Sequence, residues 1–163
     1  MGHMKKTVNR LLDLFEKRGL TISLAESVTC GLAAHQLNIA KGTSEVLMGS
    51  IVCYNEKVKT GLLGIKPGLI KKYSAESQRV TNEMAKSLSR LFKSDVYAAI
   101  TGLASPGASE DSGKPVGTIF FSVKYKSKIW ALKKTFKGSP LQIKRKACEE
   151  LYAFIYSKMK SAV

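Results

Sequence analysis

The sequence predicts a single three-layer α/β/α domain, in which a mixed β-sheet is covered by helices on both faces. Helix and strand patterns alternate through the first part of the chain, and two strand patterns separated by a short turn follow later. Neither an internal repeat nor a linker interrupts the 163 residues, and a chain of this length fits one domain with a substantial core. Alternating elements followed by a hairpin are typical of a mixed sheet packed between helices.

The first half of the chain is predicted to alternate helices with strands. Lys5 to Arg18 forms an amphipathic helix that Gly19 ends, and its apolar stripe consists of Val8, Leu11, Leu12 and Phe15. The next predicted elements are a strand over 21–26, a helix to about Ala40, a loop over 41–44, a strand over 49–54 and a short helix from Asn55 to about Leu63. Gly64 and Pro67-Gly68 are expected to break the chain there.

The second half is predicted to contain a long helix, three strands and a final helix. Ser77 opens the long helix, whose apolar stripe consists of Val80, Met84, Leu88 and Leu91. The apolar run over 96–100 is typical of a strand buried on both faces, and the prolines and glycines of 103–115 predict a loop. Strands over 117–125 and 129–136 are expected to form an antiparallel hairpin. Ser139-Pro140 starts the last helix, with Ile143, Ala147, Leu151, Phe154 and Ile155 facing inward.

Composition excludes several classes of protein. The 44% hydrophobic and 24% charged residues are ordinary for a soluble globular chain, and neither a membrane span nor a secretory signal is present in the sequence. The three cysteines form no CxxC pair and only two histidines occur, so we expect no metal site, no disulfide and a cytoplasmic protein. Residues 1–3 resemble an expression-tag remnant, which leaves 4–163 as the predicted domain.

The net charge of +15 is the strongest compositional anomaly. It is compatible with nucleic acid, with an anionic substrate or with a lysine-coated surface. The lysines are spread over every predicted element rather than clustered in one arm. We therefore favour a solvated basic surface, which also suits a phosphorylated substrate, over a nucleic-acid partner.

Ser27 is the leading candidate for a nucleophile. It lies between the alternating pattern Thr21-Ile22-Ser23-Leu24 and a run of good helix formers that begins at Leu32. Backbone N–H groups at such a turn can stabilise an oxyanion or bind a phosphate. The same position therefore favours either catalysis or anion binding.

A serine nucleophile needs a base, and a lysine fits better than a histidine. His35 lies about two helical turns beyond Ser27, so we expect an ordinary helix side chain there. A lysine becomes a base when burial or a neighbouring cation lowers its pKa. Tyr54 ends a predicted strand and Lys59 follows it, so both are expected near Ser27 if the two strands are neighbours, because sites in open α/β sheets lie at strand carboxyl ends.

Two further segments follow or precede strands without a role that spacing alone can assign. Small residues in the segment 101–107 allow a ligand to approach the backbone closely, although a plain surface turn explains them equally well. The segment 114–118 is equally compatible with the start of a strand.

Together these segments resemble the CinA C-terminal domain, the family of PncC-type nicotinamide-nucleotide amidohydrolases. The resemblance covers nearly the whole chain, in order and with compatible spacing. The matching stretches are Ala25-Glu26-Ser27-Val28-Thr29-Cys30-Gly31, Tyr54 with Lys59 and 62–65, Ala75, Ser77 and 83–85, 101–107, and Lys114-Pro115-Val116-Gly117-Thr118.

The resemblance implies hydrolysis of the carboxamide of nicotinamide mononucleotide to nicotinic acid mononucleotide and ammonia. By this resemblance, the family's catalytic residues correspond to Ser27 as nucleophile, Lys59 as base and Tyr54 as a companion that can pass a proton. The substrate-binding residues that it implies are Glu26, Thr29, Gly31, Thr101, Gly102, Ser105, Pro106, Gly107, Lys144 and Arg145. N–H groups near Thr29 to Gly31 are expected to hold the oxyanion. Neither a metal nor a cofactor is required, and a homodimer or higher homo-oligomer is implied.

The chain departs from the family pattern around its predicted pocket. Val28 and Cys30 stand where the family has cysteine and glycine, Ser105 replaces a glycine, and Ser139-Pro140 replaces an acid and an arginine. Lys144 or Arg145 is expected to substitute for that arginine. These changes motivate an alternative, a divergent relative that binds a nucleotide or acts on another amide.

Overall fold

The computed structural model describes residues 2–162, which form an alternating series of helices and strands. In chain order the elements are α1 (Gly2–Arg18), β1 (Ile22–Glu26), α2 (Leu32–Asn38), α3 (Thr43–Val46), β2 (Leu47–Val52), α4 (Glu56–Gly61), α5 (Pro67–Tyr73), α6 (Gln78–Leu88), β3 (Val96–Gly102), β4 (Thr118–Tyr125), β5 (Lys128–Thr135) and α7 (Pro140–Ala162).

The five strands form one mixed sheet in the order β2-β1-β3-β4-β5. The strand β1 is parallel to both neighbours, with Ala25 opposite Ile51 on one side and Ala99 on the other. The pairs β3–β4 and β4–β5 are antiparallel. The carboxyl ends of β2, β1 and β3 therefore lie at one edge, which we call the carboxyl edge of the sheet.

Helices cover both faces of this sheet, which confirms the predicted three-layer α/β/α class. One apolar core joins the first face to α1, α2, α3 and α7, and a second joins the opposite face to α5 and α6. Successive side chains of a strand pack into opposite cores: in β1, Leu24 packs into the first core and Ala25 into the second. The apolar stripe of α1 is buried as predicted, and Phe15 within it has an exposed fraction of 0%.

Two short helices differ from the prediction. The helix α3 begins within the segment 41–44 that was predicted as a loop, and the Pro67-Gly68 pair lies at the start of α5 rather than in a break. Proline suits the first turn of a helix because its missing N–H has no intrahelical partner there. The strand β2 runs over Leu47–Val52, two residues earlier than predicted.

The two edge strands of the sheet differ in charge. The outer strand β5 carries Lys128, Lys133 and Lys134, whereas β2 has the uncharged sequence LMGSIV. Met48 and Val52 of β2 are 51% and 42% exposed. Within residues 2–162, the structure contains no helix with the length and apolar character of a membrane span.

Candidate active site

Ser27 lies at the carboxyl edge, immediately after β1, and is 5% exposed. Its N–H donates to the carbonyl of Ile100 in β3 at 3.0 Å, which continues the strand pairing by one residue. The chain then turns, and the N–H of Cys30 donates back to the carbonyl of Ser27 at 3.2 Å. Cys30 and Gly31 take positive φ values of 51° and 92° in this turn, so α2 begins only at Leu32.

Lys59 reaches Ser27 from α4, the short helix that follows β2. The N–H of Cys53 donates to the carbonyl of Glu26 at 2.8 Å, so the segment after β2 continues beside the end of β1. The side chain of Asn55 then caps α4 by accepting from the N–H of Lys57. One turn later the side chain of Lys59 points back into the sheet edge, where it is 1% exposed.

The ammonium nitrogen of Lys59 has three oxygen neighbours. It donates to the hydroxyl of Ser27 at 3.1 Å, to the carbonyl of Cys53 at 2.8 Å and to the carbonyl of Tyr54 at 3.1 Å. A neutral amine has two N–H bonds and one lone pair. If the carbonyls take the two N–H bonds, the lone pair is left for the Ser27 hydroxyl, which is the geometry of a nucleophile and its base.

Burial shifts Lys59 towards this neutral form. Desolvation lowers the pKa of Lys59, because the charged amine loses its water, while the carboxylates of Glu76 and Glu56 partly oppose the shift. Burial also raises the pKa of the neighbouring Cys53 thiol to about 11, so that thiol is neutral at pH 7. A larger fraction of Lys59 is therefore neutral than of an exposed lysine, and the neutral amine is the form that can accept the Ser27 proton.

Glu26 lies next to Ser27 with its carboxylate fully buried. The backbone N–H groups of Gly31, Ala33 and Ala34 at the start of α2 donate to it at 2.9–3.0 Å. The hydroxyls of Thr29 and Ser50 donate to the same carboxylate at 2.7 and 3.0 Å. The structure therefore places Glu26, predicted to bind substrate, behind the turn as the acceptor that holds the start of α2.

This arrangement selects which N–H groups remain for an oxyanion. The N–H of Gly31 is bonded to Glu26, whereas those of Val28 and Thr29 have no hydrogen-bond acceptor within residues 2–162. Val28 and Thr29 are the first and second residues after Ser27. Of the predicted donors, Thr29 thus keeps a free N–H and Gly31 does not.

Tyr54 contributes its main chain rather than its ring to the cluster. Its carbonyl accepts from Lys59, but its side chain is 69% exposed. In the described part of the chain, its phenol has no hydrogen bond to Ser27 or Lys59. The structure thus brings Ser27, Lys59 and the Tyr54 backbone together and leaves the Tyr54 ring at the surface.

The predicted loop residues divide into buried and exposed groups. The Thr101 hydroxyl is buried against that of Thr81 at 2.7 Å, and Gly102 lies against β4, where an added Cβ would stand 2.4 Å from the carbonyl of Thr118. Both sites therefore serve packing. Ser105, Pro106 and Gly107 are exposed at the start of the β3–β4 connection.

Lys144 and Arg145 lie in the second turn of α7, where Lys144 is half-buried and Arg145 exposed. Neither side chain has a hydrogen bond or an ion pair among the described residues, and neither takes part in the hydrogen bonds of Ser27 and Lys59. Sequence reasoning missed Glu76, which acts electrostatically on Lys59, and the carbonyls of Cys53 and Tyr54. Backbone carbonyls leave no signal in a sequence, because every residue has one.

Comparison with known proteins gives consistent results. The model of the CinA C-terminal domain family matches residues 4–159. A CinA-like protein of Pseudothermotoga lettingae is 40% identical over 114 residues, which are 69% of this chain and 28% of that protein. A CinA-like protein of Petrotoga mobilis is 34% identical over 137 residues, 84% of this chain and 34% of that protein. The chain thus spans about a third of the length of these curated relatives.

Solved structures support the same fold. The crystal structure of the competence damage-inducible protein A from Klebsiella pneumoniae superimposes with a TM-score of 0.93, covering 98% of this chain and 99% of that chain. At 22% identity this likeness shows the fold alone. The family match covers almost all of the described residues, including Ser27 and Lys59. The chain therefore belongs to the CinA C-terminal domain family.

Proposed function

We propose that the protein is a serine amidohydrolase that converts nicotinamide mononucleotide and water to nicotinic acid mononucleotide and ammonia. The single observation that supports it best is the buried contact of 3.1 Å between the Lys59 amine and the Ser27 hydroxyl. The pyridine mononucleotide is the substrate that the family resemblance implies, and the basic surface suits its phosphate.

In the proposed first half-reaction, neutral Lys59 takes the proton of Ser27 while the Ser27 oxygen attacks the carboxamide carbon. The N–H groups of Val28 and Thr29 stabilise the resulting oxyanion. As the tetrahedral intermediate collapses, the carbon–nitrogen bond breaks and protonated Lys59 gives its proton to the departing nitrogen, which leaves as ammonia. The product of this half-reaction is an ester on Ser27.

In the second half-reaction, Lys59 takes a proton from water while the water oxygen attacks the ester. The bond to Ser27 then breaks, and Lys59 returns the proton to the Ser27 oxygen. Tyr54 supports both steps through its carbonyl, which orients the Lys59 amine. Its exposed ring is available to contact the bound substrate.

The test is ammonia release from nicotinamide mononucleotide by the purified full chain. Ser27→Ala is expected to lower kcat by at least about a thousandfold, and Lys59→Met by about 10²–10⁴-fold. Ser122→Ala is a matched control for the first variant, because Ser122 is also buried and its hydroxyl has no partner among the described residues. Lys57→Met is the control on the same helix.

Full activity in either Ser27→Ala or Lys59→Met would contradict the mechanism. A wild-type protein that binds the mononucleotide without releasing ammonia would instead support the second candidate, a nucleotide-binding relative. The positive φ of Cys30, at 51°, favours that candidate, because it strains the turn on which the oxyanion donors lie.

A further inference from the structure

A cavity of about 270 Å³ lies at the edge of the sheet opposite to Ser27. Its walls come from the carboxyl end of β4, the amino end of β3 and the residue after α6. Since β3 runs parallel to β1, its amino end points away from the carboxyl edge. We call this space the hairpin cavity, because Lys124, Tyr125 and Lys126 of the β4–β5 hairpin line it. A ligand held there is separate from one bound at the Ser27–Lys59 pair.

Two buried tyrosines give the hairpin cavity firm walls. Tyr97 and Tyr125 are both buried, although each forms part of the cavity lining. The hydroxyl of Tyr97 accepts from the N–H of Ser94 at 3.1 Å and donates to the carbonyl of Phe92 at 3.1 Å. The backbone before β3 therefore fixes this ring, and the two rings supply apolar surface beside the polar groups of the cavity.

Each tyrosine ring carries a lysine ammonium above it. The Lys124 nitrogen lies 5.1 Å from the centroid of the Tyr97 ring, and the Lys126 nitrogen lies 5.1 Å from that of Tyr125. Such contacts hold a cation without neutralising its charge. Among residues 2–162 neither ammonium has a hydrogen bond or an ion pair, whereas Lys134 of β5 is paired with a carboxylate. Two positive charges without an anionic partner therefore line one cavity.

The other polar groups of the lining already have partners within the fold. One carboxylate oxygen of Asp95 accepts from both the N–H and the hydroxyl of Thr21, each at 2.8 Å. The hydroxyl of Ser89 donates to the carbonyl of Lys86 at 2.7 Å. One carboxylate against two ammonium groups leaves the lining with a net positive charge. The two ammonium groups are thus the donors that remain for a ligand.

The backbone of Lys126 is strained at this cavity. Lys126 and Ser127 form the two-residue turn between the paired residues Tyr125 and Lys128. Lys126 has a φ of 53°, a conformation that glycine and asparagine adopt more readily than lysine. Strained residues are retained preferentially at ligand sites. The choice of lysine in this turn therefore favours a role for its charge in the cavity.

We propose that the hairpin cavity binds the phosphate group of a small molecule, with Lys124 and Lys126 as its cations. A phosphate monoester carries about 1.5–2 negative charges at pH 7, which two ammonium groups match, and lysine binds phosphate as a point charge. The volume of about 270 Å³ lies below the range of drug-sized ligands, so it suits inorganic phosphate or a small phosphorylated compound. The site does not depend on the proposed function, because it lies at the other edge of the sheet.

The experiment compares the wild type with Lys126→Asn and uses inorganic phosphate as the probe, at constant ionic strength. Titration calorimetry is expected to show that Lys126→Asn binds phosphate about three- to tenfold more weakly. The same variant is expected to unfold at a higher urea concentration, because asparagine adopts a positive φ more readily than lysine. A weaker affinity in a more stable protein cannot result from unfolding. Lys128→Gln is the control, since it removes the same charge from the hairpin outside the cavity lining, and it is expected to bind phosphate like the wild type.

Amide resonances locate the binding. In ¹⁵N–¹H spectra of the wild type, phosphate is expected to shift the signals of Lys124, Tyr125 and Lys126, and Lys124→Gln is expected to weaken the effect as Lys126→Asn does. An absence of phosphate binding would overturn the proposal. So would unchanged affinity in both variants, or shifts confined to the carboxyl edge around Ser27.

A second titration distinguishes free phosphate from a phosphorylated compound. Glycerol 3-phosphate that binds more tightly than inorganic phosphate, and that loses affinity in Lys126→Asn, supports the site with an organic phosphate as its ligand. Inorganic phosphate that binds at least as tightly supports the site with phosphate itself as its ligand. Glycerol is expected not to shift the signals of the hairpin cavity, and binding of glycerol as tight as that of glycerol 3-phosphate would contradict recognition through the phosphate.

Discussion

At the scale of single residues, Lys59 couples burial to reactivity. An exposed lysine is a cation at pH 7 and has no lone pair to offer. Lys59 is 1% exposed, and its hydrogen-bond partners among the described residues are the oxygens of Ser27, Cys53 and Tyr54. The desolvation that lowers its pKa is also a cost to folding, because the protonated form is disfavoured inside the protein.

The pH dependence of activity follows from the lowered pKa of Lys59. Since the neutral amine is the base, kcat/KM is expected to rise with pH and to level off below the ordinary pKa of lysine. Glu76→Gln removes a carboxylate that raises the pKa of Lys59, so its profile should move to lower pH. A profile that keeps rising to the ordinary lysine range would contradict a buried lysine base.

The free energy of unfolding gives an independent check on the same group. Because the folded-state pKa of Lys59 lies below the unfolded one, the unfolded chain binds more protons between the two values. The contribution of Lys59 to stability is therefore expected to rise with pH across that window and to be flat below it. Urea denaturation of the wild type and Lys59→Met, compared at several pH values, measures the difference.

Cys30 is a residue whose backbone conformation suits glycine better. Its φ of 51° is in the left-handed region, where a Cβ costs about 1–2 kcal/mol. Cys30→Gly relieves that strain but increases the entropy of the unfolded chain, so we expect a net gain of about 0.5–1 kcal/mol in the free energy of unfolding. Cys30→Ser keeps the Cβ and is the control, which should unfold like the wild type.

The sequence predicted Ser27 and Lys59 but not how their neighbours would be used. The strand-to-helix change around Ser27 is a periodicity signal, whereas Lys59 was one of many lysines, and the family resemblance rather than its position after a strand assigned it the role of base. The role of Glu26 could not be anticipated in this way. Which N–H groups a buried carboxylate takes depends on the path of the turn, and that path depends on the positive φ of Cys30 and Gly31.

At the scale of elements, the start of the β3–β4 connection depends on close contact between two strands. The last residue of β3, Gly102, has a φ of 151°, and a Cβ there would stand 2.4 Å from the carbonyl of Thr118 and 2.8 Å from the Cα of Ile119. Neither contact involves a flexible side-chain end. The first residues of this connection, which spans 103–117, are thus positioned by backbone packing.

Gly102→Ala is expected to lower the free energy of unfolding by about 2–4 kcal/mol, because the strands must separate or the backbone must change conformation. Gly61→Ala is the control, since nothing lies within 4 Å of a Cβ at that position and its φ is ordinary. Thermal and urea denaturation measure both variants. Equal stability of Gly102→Ala and the wild type would mean that the connection tolerates displacement.

Long periodic elements were predictable, and short ones were not. The stripe of α1 is buried as its spacing predicts, with Phe15 at 0% exposure. In α6, Val80, Met84 and Leu88 are buried as predicted, but Leu91 lies beyond the end of the helix and is 42% exposed. The helix α3 has four residues, too few for a period of 3.6 to be recognised. The helix α5 was missed because Pro67-Gly68 signals a break as readily as a helix start.

At the scale of the whole molecule, the net charge of +15 is distributed rather than focused. Several lysines lie against aromatic rings, such as Lys133 over Phe120 and Lys124 over Tyr97, and Lys134 forms an ion pair with Glu150. This dispersal supports the interpretation of the charge as a general basic surface. Repulsion between two copies therefore acts over most of their surfaces.

The unequal edges of the sheet have a consequence for self-association. Lysines on an outer strand discourage the addition of another strand, and β5 carries them while β2 does not. Two basic chains meet least repulsion where each is uncharged, so we expect the homo-oligomer that the family resemblance implies to form across β2. Met48→Lys should then shift the protein towards monomer in light scattering, whereas Leu141→Lys, at a similarly exposed site on α7, should not. If both variants have the same molar mass in solution as the wild type, β2 is not the interface. Its unpaired backbone groups are then an edge to which misfolded chains can add strands and aggregate.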